Sequence, residues 1–191
     1  MIDGDGLDLG EYDAMVLAMP PEQARALVPR HGALLHQLAQ ARSIPCWALM
    51  MTLEEPLPVP FDGAFFDCLD FAWAARDSSK PGRDALERWV VHAGEAWSRE
   101  HIRTAPEEVA QKLAASFFTT IGIREIRPLH MAGHLWGFAR VANALRINAL
   151  WDDDSRLGVC GDWCVAPPLE GAYLSGVACA ERVQIGIGRS R

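Results

Sequence analysis

The stretch that decides the fold is Leu157-Gly158-Val159-Cys160-Gly161-Asp162-Trp163-Cys164, continued by Leu169-Glu170-Gly171-Ala172-Tyr173-Leu174-Ser175-Gly176. Leu157 to Cys160 is a short apolar run of the kind that makes a buried strand, and from about Glu170 to Val183 the pattern turns helical. Gly161 and Asp162 stand where the strand ends, and a short loop leads to a helix opening on Glu170-Gly171-Ala172. A glycine there lets backbone come close to a ligand, and the Asp162 carboxylate suits hydrogen bonds from sugar-type hydroxyls. The first turn of the helix offers backbone N–H groups without intrahelical partners, and its dipole favours negative charge. Taken alone, the same residues also suit a tight strand-to-helix turn whose glycines serve packing only.

Working outward, the other end of the chain has a related texture. Tyr12-Asp13-Ala14-Met15-Val16-Leu17-Ala18-Met19 is an apolar run ended by Pro20-Pro21. It reads as a short buried strand running directly into a helix over 22–28, with Pro20 and Pro21 at the turn and first helical position. A second helical pattern covers 33–41. A strand followed at once by a helix points to a βα unit rather than a hairpin.

Between these ends the texture changes. Trp47 to Leu53, Phe65-Phe66, Phe71 to Ala74 and Trp89 to His92 are short aromatic or β-branched runs separated by polar or proline-rich turns. They predict an antiparallel sheet. Thr104-Ala105-Pro106-Glu107 reads as a helix start, with Thr104 as the cap, and Val109, Leu113 and Phe117 recur on one face of a helix over about 106–119. Residues 126–151 return to strand-like texture around Trp136 and Trp151, and Asp152-Asp153-Asp154 reads as a turn.

Composition narrows the function classes. The 191 residues suit one domain with a full core, and 50% hydrophobic with 23% charged residues is ordinary globular composition. The net charge of −7, from 25 acidic and 18 basic residues, and the lack of a basic stripe interleaved with aromatics argue against a nucleic-acid partner. No apolar run approaches the roughly 20 residues that span a bilayer, and an acidic start is unlike a signal peptide, so no membrane partner and a cytoplasmic location are expected. Five cysteines form an odd set without C-x-x-C spacing, which predicts reduced structural thiols rather than disulfides or a zinc site.

The strand, Gly-Asp, loop and Glu-Gly-Ala helix together resemble the last strand and helix of the FAD-binding domain in amine oxidases and their relatives. Tyr12 to Pro20 is similar to the strand that re-enters that domain before the chain leaves for the substrate lobe. Arg76-Asp77-Ser78-Ser79-Lys80-Pro81-Gly82-Arg83, Trp89-Val90-Val91-His92-Ala93 and Trp97-Ser98 closely resemble bacterial renalase-like flavoproteins, and the likeness covers about residues 10–185.

This resemblance implies an α/β (α+β) fold. Residues 1–40 and 155–191 would form a discontinuous, incomplete FAD-binding domain of the glutathione-reductase/amine-oxidase type, and 41–154 an antiparallel-sheet substrate lobe with one long helix. It implies FAD as cofactor, contacted by Gly161, Asp162, Leu169, Glu170, Gly171 and Ala172, with Ala18 and Pro20 nearby. The reaction implied is oxidation of a small-molecule substrate, an amine or a reduced nicotinamide-like compound, by hydride transfer. No side chain is singled out as a catalytic acid or base.

Two features depart from the family pattern. His134-Leu135-Trp136 stands where a basic residue between His and Trp is expected. More importantly, the family's G-x-G-x-x-G unit is represented only by Gly4-Asp5-Gly6 with Gly10, which no apolar strand precedes and which reads as a turn. The sequence therefore also admits a truncated, non-catalytic fragment, or one half of a split flavoprotein needing a missing N-terminal segment or partner chain. A standalone small-molecule binding module is a third reading.

Weaker signals have plain readings. His130 and His134 are four apart on a predicted strand, too far to share a metal, and Asp152 to Asp154 lack the ligand spacing of a calcium loop, so no metal site is expected. Ser175 lacks the glycine pattern of a nucleophile elbow and reads as a helix-packing residue. Trp47, Trp73, Trp89 and Trp136 suit either the core or an aromatic wall above a flavin.

Overall fold

In the computed structural model, residues 6, 8, 10–28, 32–165 and 169–188 are described. In chain order the elements are β1 (Met15–Ala18), α1 (Pro21–Leu27), α2 (Ala33–Leu38), β2 (Arg42–Leu53), β3 (Gly63–Phe65), β4 (Phe71–Arg76), β5 (Glu87–Ala93), α3 (Glu95–Glu100), α4 (Pro106–Thr120), β6 (His130–Asn143), β7 (Leu150–Asp152), β8 (Leu157–Cys160), α5 (Asp162–Val165) and α6 (Leu169–Gly188). The fold is mixed α/β, with a five-stranded sheet ordered β3-β4-β5-β2-β6 and a three-stranded sheet ordered β1-β8-β7. The chain divides into two units, Met1–Ser43 with Arg140–Arg191, and Ile44–Ala139.

The first unit is built on β8, all four of whose residues are buried. That continuous apolar run fits a strand covered on both faces. β1 lies parallel to it, with Met15 opposite Leu157 and Ala18 opposite Cys160, and β7 joins antiparallel through the turn at 153–156. Because side chains alternate, Leu17, Leu157 and Val159 pack with Ala24, Val28, Leu34 and Leu38 of the α1 and α2 region. The opposite face, with Val16, Gly158 and Trp151, receives α6. A Cβ on Gly158 would lie 2.6 Å from Cys179 Sγ, and one on Gly186 would lie 2.5 Å from the Trp151 ring. Gly171, Ser175 and Cys179, at four-residue spacing, are the buried side of α6, so small residues on both partners bring helix and sheet close.

In the second unit β2, β4 and β5 form antiparallel ladders, with Leu49 opposite Val91 and Met51 opposite Trp89. Leu49, Met51, Leu53, Phe71, Trp89 and Val91 form one core with Val109, Leu113 and Phe117 of α4. Phe117 is the keystone, its ring centroid 5.5 Å from that of Trp89 and 5.8 Å from that of Phe71. Each such side chain, fully buried, contributes on the order of 1.5–3 kcal/mol.

β6 passes over the start of α4 at Gly133, where a Cβ would lie 2.4 Å from the Pro106 carbonyl oxygen. That neighbour is helix backbone and has little freedom to withdraw. Gly133→Ala is therefore expected to destabilise the protein toward the upper end of about 1–3 kcal/mol. A urea midpoint unchanged from wild type would show that the strand can slide off the helix.

Several local expectations change. α4 starts at Pro106 as expected, but its N-cap is Ala105 rather than Thr104, without a side-chain capping bond, and the Thr104 N–H donates to the His101 carbonyl. The stretch after Gly161, expected as loop, contains the helical turn α5. The strand texture expected over 126–151 resolves into β6 and β7 separated by irregular backbone. Gly4 and Asp5 lie outside the described residues. Among the described residues no helix is long and apolar enough to cross a membrane.

Candidate functional site

β1 and β8 are parallel and in register, so Ala18 and Cys160 end side by side. The residues that follow, Met19 and Pro20 on one strand and Gly161 and Asp162 on the other, thus leave the sheet at the same carboxyl edge. In open α/β sheets this is the edge at which ligands bind. The pairing brings the candidate groups from the two ends of the chain together, although they are more than 140 residues apart in sequence.

Trp163 locks this corner. Its buried indole donates from Nε1 to the Met19 carbonyl at 3.0 Å, which ties the end of β1 to the start of α5. The ring lies against Gly161, where a Cβ would come within 2.4 Å of Nε1. The space left by the missing Gly161 side chain is therefore filled by the protein's own tryptophan. The Gly161 N–H is also engaged, donating to Ser175 Oγ at 3.1 Å, and its carbonyl accepts from the Cys164 N–H at 3.0 Å. The carbonyls of Trp163 and Cys164 accept from the Leu145 and Ile147 N–H groups, each at 2.9 Å.

The groups facing outward are fewer than the sequence suggested. Asp162, half-buried, opens α5 two residues past the end of β8, and Ala18 is exposed beside half-buried Pro20. At the start of α6, Leu169 is 84% exposed, Glu170 is exposed, Gly171 is buried and Ala172 is intermediate. What this corner can offer a ligand is the carboxylates of Asp162 and Glu170 and the N-terminal turn of a 20-residue helix. Such groups suit hydroxyls and a developing negative charge respectively.

Beneath the corner lies a thiol cluster. Cys160 and Cys179 share a hydrogen bond, which lowers Cys160 from the usual thiol range and pushes Cys179 up. Burial pushes Cys164 up to about 11, against a hydrogen bond with Ser175. All five cysteines are free thiols.

Two open clefts in this unit lie away from the corner. One, of about 600 Å³, includes Arg146, Asn148, Trp151 and Arg182; the other, of about 470 Å³, is at the opposite end of β1, around Tyr12 and Arg156. Neither includes Gly161, Asp162 or the start of α6.

Of the tryptophans considered for an aromatic wall, Trp47 and Trp89 are core residues; Trp73 is half-buried beside His92, and Trp136 is exposed. His130 and His134 lie on β6, and the His134 ring packs edge-on against Trp136 at 4.5 Å. Among the described residues no cluster of three metal-ligating side chains forms. Trp163 and Ser175 are the site residues whose parts sequence reasoning missed. The available signal was spacing: a tryptophan two positions after a strand-ending glycine, and a serine four positions after Gly171.

No protein-family model matches the chain. Solved structures do. A protein assigned as a protoporphyrinogen oxidase from Exiguobacterium matches with a TM-score of 0.65 and 14% identity, covering 90% of this chain and 41% of that one. A cofactor-binding redesign of putrescine oxidase matches at 0.60 and 11%, covering 88% and 42%. Cyclohexylamine oxidase from Brevibacterium oxydans matches at 0.56 and 12%, covering 93% and 43%. The likeness is one of fold, and the chain spans less than half the length of each of these structures.

Proposed function

We propose that this chain is the C-terminal part of an FAD-dependent oxidoreductase of the amine-oxidase, renalase-like type, acting in the cytoplasm on an amine or a reduced nicotinamide-like compound. The observation that carries this reading is the shared carboxyl edge of β1 and β8, where Asp162 and the sheet-packed helix α6 follow the paired strand ends. Asp162 would accept hydrogen bonds from the polyol of the cofactor, and Gly171 and Ala172 would keep side chains clear of the first turn of α6. The amides of that turn would face the pyrimidine edge. Flavin, when bound, accepts the hydride, and the protein supplies position and electrostatics. Gly161 would act mainly through Trp163 and Ser175, which already occupy its flank and its N–H.

The test is retention of flavin, read as visible absorbance after incubation with FAD and gel filtration. Asp162→Ala is expected to weaken binding by about tenfold or more, the loss of one charge-assisted bond at roughly 1.5–3 kcal/mol. Equal retention by wild type and variant would remove Asp162 from the site.

A second reading is favoured by a specific observation: this chain needs a partner chain or further polypeptide to complete its first unit. Among the described residues no strand pairs with the outer edge of β1. On α6, Leu169, Tyr173 and Val177 form an apolar stripe 84%, 70% and 42% exposed, where a helix beside a parallel sheet would ordinarily be covered. On this reading the purified chain is colourless by itself. It gains flavin only with the complementary polypeptide.

A further inference from the structure

Three of the five thiols gather under α6, where the proposed chemistry makes no use of them. Cys160 closes β8, Cys164 lies on α5 and Cys179 on α6, and all three are buried. Their meeting depends on a glycine. Gly158 and Cys160 point to the same face of β8, two residues apart, and Cys179 Sγ fills the space where a Gly158 side chain would stand. Cys179 is thereby brought into hydrogen-bond contact with Cys160. Cys164 bonds instead to Ser175, which is occupied with the Gly161 N–H. The cluster thus resolves into one thiol–thiol pair and one separate thiol.

We propose that Cys160 and Cys179 are an oxidation site, at which hydrogen peroxide converts the pair into a disulfide tying α6 to β8. The Cys160 thiolate attacks one peroxide oxygen. The O–O bond breaks, a sulfenic acid forms on Cys160, and the departing hydroxide takes up a proton to leave as water. The Cys179 sulfur then attacks the sulfenic sulfur, the S–O bond breaks, and a second water leaves with the Cys179 proton. In sum, two thiols and one peroxide give one disulfide and two waters; each sulfur loses one electron and each peroxide oxygen gains one.

The assignment of roles follows from the surroundings. The hydrogen bond shared by the pair lowers Cys160 and raises Cys179, so Cys160 is assigned the attack, and burial raises Cys164, which stays protonated and outside the reaction. The remaining thiols lie in the other unit. Cys46 Sγ contacts the carbonyls of Trp47 and Ala93, and Cys68 Sγ donates to the Phe71 carbonyl. The site rests on the flavin reading only for a local source of peroxide, the product when reduced flavin passes electrons to oxygen. Under that reading the staple would fix the helix whose first turn faces the cofactor.

The experiment is treatment of the folded, purified chain with hydrogen peroxide, followed by alkylation of the remaining thiols and peptide mass spectrometry. The expected result is loss of two of the five free thiols, with a cross-linked peptide joining Cys160 to Cys179. Its rate should rise with pH through the neutral range. Cys160→Ser and Cys179→Ser should each abolish the cross-link, whereas Cys164→Ser and Cys68→Ser should retain it. Sulfinic acid at Cys160 without a cross-link, or oxidation confined to Cys68, would overturn the proposal, and the wild-type measurement decides this even where a variant misfolds. Because the readout needs no bound flavin, the cross-link stands or falls independently of whether the chain retains flavin, and a colourless protein that forms it leaves this site standing.

Discussion

Replacing Glu87 with alanine is expected to destabilise the second unit by about 3–5 kcal/mol, the range for removing one partner of a buried ion pair. Glu87 opens β5 and is 5% exposed. Its Oε1 accepts the Leu57 N–H at 3.1 Å and the Trp89 Nε1–H at 2.7 Å, and its Oε2 accepts the Ser78 hydroxyl at 3.1 Å. The Arg76 guanidinium completes the arrangement. Its Nε lies 3.2 Å from Oε1, without the alignment of a hydrogen bond, so this contact is chiefly charge against charge.

Arg76 also donates to the Leu57 and Val59 carbonyls and stands 5.2 Å from the centre of the Trp89 ring. One carboxylate thus holds the 3-10 turn at Asp77–Ser79, the loop at Leu57, the edge of β4 and a fully buried tryptophan of the core. Alanine would leave three donors without their acceptor and Arg76 with Asp62, 3.4 Å away, as its remaining carboxylate, while water has little room to replace the lost one. Glu87→Gln keeps an acceptor for Trp89 and Leu57 and should cost less. The difference between the two variants, read from urea unfolding followed by tryptophan fluorescence, separates lost hydrogen bonding from lost charge. A Glu87→Ala protein as stable as wild type would mean that the surrounding loops collapse to satisfy those donors.

Legibility in the sequence followed how local the cause was. β8 reads directly because Leu157 to Cys160 is an uninterrupted apolar run, and α4 because Val109, Leu113 and Phe117 repeat on one face. β2 reads only from Trp47 onward, whereas the strand begins at Arg42. The earlier residues include Pro45, which speaks against a strand; the ladder with β5 starts at Ala48, so the missing N–H lies outside it. α5 was not legible at all. Four residues cannot sustain a helix by propensity, and this turn is held by Leu145 and Ile147 N–H groups that reach its carbonyls from a distant segment. Glu87 gave no signal either, because a glutamate at a strand end usually faces water, and only the approach of Arg76, Leu57 and Trp89 makes it central.

For the candidate site, the sequence singled out the residues flanking the strand ends, and pairing of β1 with β8 places Ala18 and Pro20 beside Gly161 and Asp162. The physical part of Gly161 was less visible. A strand-ending glycine suggests room for a ligand, but the room is taken by Trp163, an arrangement that depends on where the indole folds back.

That arrangement sets the second large effect. Trp163→Ala is expected to cost about 3–5 kcal/mol, as truncating a fully buried aromatic does, and to abolish any flavin retention by the chain. The indole is 2% exposed, fills the cluster formed by Leu17, Leu38 and Val159, and carries the hydrogen bond to the Met19 carbonyl. Without it the end of β1 is no longer tied to α5, and Asp162, the adjacent residue, loses its fixed position. Trp163→Phe keeps most of the packing but not the Nε1–H donor to the partly buried Met19 carbonyl, so it should lose only about 0.5–1.5 kcal/mol, the net worth of one hydrogen bond. The chain has two units, so hydrogen exchange of the β1 and β8 amides is read beside the unfolding curve to assign the loss to the first unit. Accelerated exchange there, with the β5 amides unchanged, is the expected pattern. Unchanged exchange at β1 in Trp163→Ala would mean that the strand pair holds the corner by itself, and the tryptophan would then be filling rather than a fastener.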